Sequence, residues 1–176
     1  MIILGIDPGT ATTGYGVIKV PDDILGREFD YGIELITYGN VTTPKDKPMP
    51  QRLRLIYDEL MQVMDRYKPE LVSIEMLFFG SNTKTAISVG QARGVALLAA
   101  AQHNLPIHDY TGLQVKLMVA GSGKSDKKMV QEAVRRWLGT NGRKRKQFTV
   151  PKGGHLDDAI DAVAIAICHA LKLAAK

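Results

Sequence analysis

Near the start of the chain, apolar, β-branched and aromatic residues cluster in short runs between turn formers, at residues 2–6 (IILGI), 14–20 (GYGVIKV) and 33–38 (IELITY). This pattern predicts three strands in an antiparallel meander. Pro44, Pro48 and Pro50 break the chain. Beyond them Leu53, Ile56, Leu60, Val63 and Tyr67 recur at steps of three and four, the apolar stripe of an amphipathic helix. "KPELVSIE" is apolar on both sides of its pleat, as an inner parallel strand would be, and it ends on Glu75. Residues 83–103 predict a long helix rich in small residues, stopped by Asn104 and Pro106, in which Gly90 and Gly94 open the backbone to close approach. "PIHDY" predicts a further strand and "GLQVKLMVAG" a short helix. Ser125 is placed to cap a helix whose Met129, Val130, Ala133, Val134, Trp137 and Leu138 face inward before Gly139 ends it. From Asp157 to about Leu171 a last helix carries Ile160, Val163, Ala164, Ile167 and Leu171 on one side.

The order β, β, β, α, β, α, β, α, α, α describes an α/β fold in the ribonuclease H-like arrangement, a central mixed five-stranded sheet with helices on both faces. At 176 residues and 45% hydrophobic composition, one domain spanning 1–176 is expected. No apolar run approaches the roughly 20 residues needed to span a bilayer, and the start carries no signal-peptide pattern, so a cytoplasmic protein with no membrane partner is expected. The single cysteine, Cys168, lies among alanines and isoleucines and reads as a small buried residue.

Charge changes the picture. Between Leu113 and Lys152 there are eleven Lys or Arg against Asp126 and Glu132, a net of +9; the whole chain carries +5, so the remainder carries −4. A basic lobe beside an acidic remainder suits a polyanion that touches one face.

The acids supply the candidate chemistry. In open α/β sheets functional groups gather at strand ends near a topological switch, so Asp7 leaving the first strand and Glu75 leaving the inner strand can face each other. Asp158 and Asp161 are three apart on the first turns of the last helix and share a face; Asp157, four before Asp161, leaves open which of the adjacent pair points inward. Carboxylates that converge without Lys or Arg between them repel unless divalent cations compensate. Three or four can hold two Mg²⁺ ions and clamp an in-line phosphodiester displacement. Taken singly, Asp7 before Pro8-Gly9 reads as a turn former, Glu75 as a strand-end charge, and Asp157 or Asp158 as a helix cap. Three separate segments each delivering an acid at an element end favour the metal site.

The stretches "LGIDPGTATTGYGVI", "VSIE" followed by Phe78-Phe79, "VGQARGVALLAAA", "LQVKLMVAGSGKSDKKMVQ" and "HLDDAIDAVAIAICHA" together resemble the RuvC family of Holliday-junction resolvases along most of the chain. The resemblance implies a homodimeric endonuclease that uses two Mg²⁺ ions per site, with Mn²⁺ substituting. It would nick two opposed strands of a four-way DNA junction in recombination and repair, leaving 5′-phosphate and 3′-hydroxyl ends. It maps the four acidic positions onto Asp7, Glu75, Asp158 and Asp161, with Asp157 as bystander. It assigns Phe78 to stacking on an unpaired base, Phe79 being the core aromatic of the pair, and places Lys116 and Lys127 near the scissile phosphate. Lys124 joins the candidate DNA-binding set; Arg93 in "GQARG" is either a DNA contact or structural. A branch-migration complex of RuvA and RuvB type proteins is the implied partner, and the small-residue helix 83–103 a candidate dimer element. Residues 21–31 and the basic "GTNGRKRKQFTV" segment are departures from the family pattern.

Other readings fare less well. An actin-like or sugar-kinase nucleotide enzyme also begins a phosphate turn with Asp, Gly and Thr, but it needs two lobes. "GSGKS" at 121–125 mimics the end of a Walker A loop, yet Met118 stands where the earlier glycine belongs and a helix precedes it. A catalytically dead junction-binding module would lack the acids. A ribonuclease H acting on RNA:DNA hybrids shares fold and chemistry and is separated only by substrate.

Overall fold

The structure, a computed structural model, describes residues 1–21, 32–76, 83–139 and 156–175. In chain order the elements are β1 (Ile2–Asp7), β2 (Thr12–Lys19), β3 (Glu34–Thr42), α1 (Met49–Tyr67), β4 (Leu71–Glu75), α2 (Thr83–Gln102), β5 (Ile107–Tyr110), α3 (Gly112–Ala120), α4 (Lys127–Gly139) and α5 (Asp157–Ala174). The strands form one sheet in the order β3-β2-β1-β4-β5. The first three make the antiparallel meander, while β4 and β5 run parallel to β1. This is the mixed five-stranded ribonuclease H-like sheet expected from the sequence.

Side chains alternate across the sheet, and that parity decides what each face receives. On one face Leu4, Ile6, Val17, Val72 and Ile74 pack against α1 and α2 through Ile56, Leu60, Met64, Ala92, Ala96 and Ala99. On the other, Ile3, Ile18 and Leu71 pack against α5, with α3 and α4 beyond it through Val115, Val119, Val130, Ala133 and Val134. Asp7 and Glu75 share the parity of Ile3 and Leu71, so both acids leave their strands toward α5.

From Ala159 to Leu171 every residue of α5 except Asp161 is buried, which corrects the one-sided stripe expected for it. The stripe is present, but Ala162, Ile165, Ala166, Cys168 and Ala170 are buried too, because the helix is sandwiched between the sheet and α3 and α4. Its approach is close because the sheet offers no side chains beneath it. A Cβ on Gly5 would collide with the Ala162 carbonyl, one on Gly14 with the Asp158 carbonyl, and one on Gly16 with Val163. The glycines of the opening motif are therefore the groove into which α5 sinks.

Three further expectations are corrected. Asp126, not Ser125, caps α4: its Oδ1 accepts from Met129 N–H at 2.9 Å, whereas Ser125 is buried in the preceding turn. Both residues are good cappers, and only the path of the chain decides between them. Met129 is 47% exposed, since it lies one residue, about 100° of helix, off the buried Val130 stripe. At Gly94 a Cβ would meet nothing within 4 Å, so among the described residues no other element approaches that glycine. α3 is closed by a capping box, Thr111 Oγ1 accepting from Gln114 N–H and the Gln114 side chain from Thr111 N–H. No described helix is long and apolar enough to cross a membrane.

Candidate active site

Asp7 ends β1, Glu75 ends β4, and Asp158 and Asp161 lie in the first turns of α5. β1 and β4 pair in parallel as far as Ile6 and Ile74, so the next residue on each, Asp7 and Glu75, falls side by side. Their carboxyl groups share a hydrogen bond. Asp7, Asp158 and Asp161 each bring a carboxylate oxygen within 4.8 Å of the others. Gly112, which opens α3, leaves the room Glu75 occupies: a Cβ there would stand 2.9 Å from Glu75 Oε1.

The electrostatics follow from crowding. Burial, reinforced by the negative charges of Glu75, Asp161 and Asp158, pushes the Asp7 carboxyl up to about 8. Burial also raises Glu75, against the hydrogen bond from Asp7 and the positive charge of Lys116. Asp161 is raised for the same reason, although Lys127 opposes the shift. A group of acids this reluctant to ionise together is a seat for compensating positive charge. Its donors are oxygen only, the preference of a hard cation of the Mg²⁺ class, so the residues present fit a divalent ion.

The basic candidates divide. Lys116 stands close enough to Glu75 for its charge to act there. Lys127 Nζ lies 3.3 Å from Asp161 Oδ2 and 3.4 Å from Asp157 Oδ2, and those two charges raise it despite the burial that would lower it. Lys124 is exposed in the turn between α3 and α4. Arg93 is engaged inside the chain: Nη2 lies 2.5 Å from Asp109 Oδ1, and Nε donates to the Glu75 carbonyl at 3.3 Å, bracing the end of β4. Phe78, with Phe79, lies outside the described residues.

The pair on α5 that spacing alone left open separates here. Asp158 joins the cluster, while Asp157 turns to α4, where Gln131 Nε2 donates to it at 3.0 Å beside Lys127. Sequence reasoning missed Gln131, whose only signal is its place one turn beyond Lys127. It also missed Arg52, Thr43 and Thr13, which surround the turn after Asp7.

Comparison with known proteins agrees with this geometry. The model of the crossover junction endodeoxyribonuclease RuvC family matches residues 3–169. The chain is 48% identical over 171 residues to the crossover junction endodeoxyribonuclease RuvC of Chloroflexus aurantiacus, covering 97% of this chain and 93% of the relative. It is 49% identical over 170 residues to that of Desulfitobacterium hafniense, covering 97% and 92%. Among solved structures, T. thermophilus RuvC in complex with Holliday junction substrate superposes with a TM-score of 0.80 at 30% identity, covering 99% of this chain and 96% of that one. Since the match runs from β1 into α5 and spans Asp7, Glu75, Asp158 and Asp161, the chain belongs to the crossover junction endodeoxyribonuclease RuvC family.

Proposed function

We propose that this chain resolves four-way DNA junctions, cutting two opposed strands by metal-dependent phosphodiester hydrolysis that leaves 5′-phosphate and 3′-hydroxyl ends. The observation that carries the reading is the convergence of Asp7, Asp158 and Asp161, with Glu75 beside Asp7, at one edge of the sheet. Their relatives' shared name and the junction-bound T. thermophilus structure point to the substrate. Asp7, Glu75, Asp158 and Asp161 would hold two Mg²⁺ ions, Mn²⁺ being an acceptable substitute. When bound, the ions supply an activated water and charge that stabilises the departing 3′-oxygen.

The remaining work falls to the chain itself. Asp7 stands between Glu75 on one side and the two α5 acids on the other, so its two carboxylate oxygens can serve both halves of the site. Lys116 and Lys127 border the cluster from α3 and α4 and would hold the scissile backbone by charge. Lys124 extends this basic edge, and Phe78 would stack on a base unpaired at the crossover. Arg93, spent on Asp109 and the Glu75 carbonyl, supports the site rather than DNA. Paired symmetric nicks need two active sites. α2 offers the surface for a homodimer: Ile87 and Leu98 are 62% and 54% exposed, and Gly94 lies open between them. Loading by a branch-migration complex of RuvA and RuvB type proteins completes the reading.

The test is cleavage of a labelled four-way junction beside a linear duplex and an RNA:DNA hybrid, each with Mg²⁺, Mn²⁺ or chelator. Metal-dependent paired nicks confined to the junction are expected. Cutting of the hybrid alone would reassign the substrate to a ribonuclease H, and tight junction binding without cutting would make the chain a structural module.

A further inference from the structure

In the turn that follows Asp7, the carbonyls of Gly9, Thr10 and Ala11 each accept a hydrogen bond. Thr13 Oγ1 donates to the Gly9 carbonyl at 2.7 Å. Thr43 Oγ1 donates to the Thr10 carbonyl at 2.5 Å, and Thr43 N–H to the Ala11 carbonyl at 3.1 Å. Thr13 and Thr43 are both buried. The one charged member of the set is Arg52, from the first turns of α1. Its Nε donates to Thr43 Oγ1 at 2.7 Å and its Nη2 to the Thr10 carbonyl at 2.9 Å. One planar fork thus ties α1, the end of β3 and the turn after β1 into a single unit.

Such a clamp has a physical task here. Asp7 stands at the end of β1 with a carboxylate oxygen within 4.8 Å of those of Asp158 and Asp161, so its ligating place depends on how the β1 end and the turn after it are held. The end of β1 is paired on one side through Asp7 and Gly14, but its pairing with β4 stops at Ile6. Beyond Ile6 the turn is therefore what sets the β1 end on that side, and the Arg52 fork fixes the turn. Arg52 bonds the Thr43 hydroxyl and the Thr10 carbonyl, three residues beyond Asp7, so it reaches Asp7 through the backbone.

We propose that Arg52 is a positioning residue for divalent-ion capture: by gripping the Thr10 carbonyl and Thr43 hydroxyl it holds Asp7 in its ligating place among the clustered acids. This inference rests on the reading of those acids as the metal site. Residues that orient a ligand from behind are worth roughly 10- to 100-fold in metal affinity.

The experiment uses the full chain with Arg52→Gln, Arg52→Lys and Thr43→Val, with Asp7→Asn as control. Three quantities are read: Mn²⁺ dissociation constant by calorimetry, half-saturating Mg²⁺ for junction cleavage, and junction affinity in chelator. For Arg52→Gln the first two are expected to rise together by about 10-fold while junction affinity stays within about 2-fold of wild type. Arg52→Lys should fall near Arg52→Gln, because it keeps the charge but lacks the fork. Thr43→Val, which removes one hydroxyl, should show about 3-fold and serves if Arg52→Gln does not fold. Unchanged Mn²⁺ affinity in a folded Arg52→Gln protein with a lower melting temperature would reduce Arg52 to a structural role. Full recovery by Arg52→Lys would make its charge the agent, and weakened junction binding in chelator would make it a phosphate contact; either overturns the proposal. Wild-type Mn²⁺ affinity in Asp7→Asn would instead sink the metal site itself.

Discussion

Asp7 is the residue at which the crowding of the acids and the proposed chemistry meet. Its carboxyl sits at about 8 instead of the ordinary 3.8, so between those values the folded protein holds a proton that the unfolded chain has released. Stability contributed by this group is therefore present at low pH, declines as pH rises through that window, and levels off above about 8. In chelator, Asp7→Asn should consequently gain stability over wild type as pH rises from 5 to 8, by on the order of a few kcal/mol, as urea melts at several pH values would show. The same substitution should lower junction cleavage by roughly 100-fold or more while junction binding stays near wild type, because phosphate contacts dominate affinity. A folded Asp7→Asn protein that no longer bound junctions would contradict this division. Asp157, tied to Gln131 and Lys127, belongs to a different set of contacts: Asp157→Asn should retain cleavage within several-fold where Asp158→Asn loses it, a difference that single-turnover assays would resolve.

At the scale of elements, the meeting of β1, β2 and α5 decides where the acids stand. The glycines at 5, 14 and 16 let a helix backbone rest on a sheet backbone, and that contact carries Asp158 and Asp161 down to Asp7. Gly14→Ala should therefore cost about 2–3 kcal/mol by denaturant melts and also lower cleavage in the protein that remains folded, since the colliding atom is the Asp158 carbonyl itself. α4 offers a second check. Asp126→Ala should cost about 1 kcal/mol through loss of its bond to Met129 N–H, and a smaller loss than from Ser125→Ala would reverse the assignment of the cap. The amphipathic stripe of α1 was legible in sequence because one of its faces meets water. That of α5 was only part of its buried surface, because beyond its acidic first turns the helix is covered all round and keeps little polar face to mark its orientation.

For the whole molecule, the acidic edge of the sheet is bordered by Lys116 and Lys127, while α2 lies on the opposite face of the sheet from α5. Site and proposed dimer surface are thus separable. Leu98→Glu should yield monomers in sedimentation equilibrium at micromolar protein. It should also turn paired nicks into single ones while leaving Mn²⁺ affinity unchanged; a dimer that persists would move the interface elsewhere.

By itself, the sequence determined the order and kind of the elements, the sheet's mixed character and the four acids. Strand and helix periodicities are local, and Asp7, Glu75, Asp158 and Asp161 each stand at the end of such an element. Only the tertiary structure decided that Asp157 is bonded to Gln131 beside Lys127, that Arg93 is engaged with Asp109 and the Glu75 carbonyl, and that Arg52 grips the turn after β1. Those outcomes depend on contacts between residues far apart in the chain, and no spacing along the sequence encodes the depth to which α5 sinks into a groove of glycines.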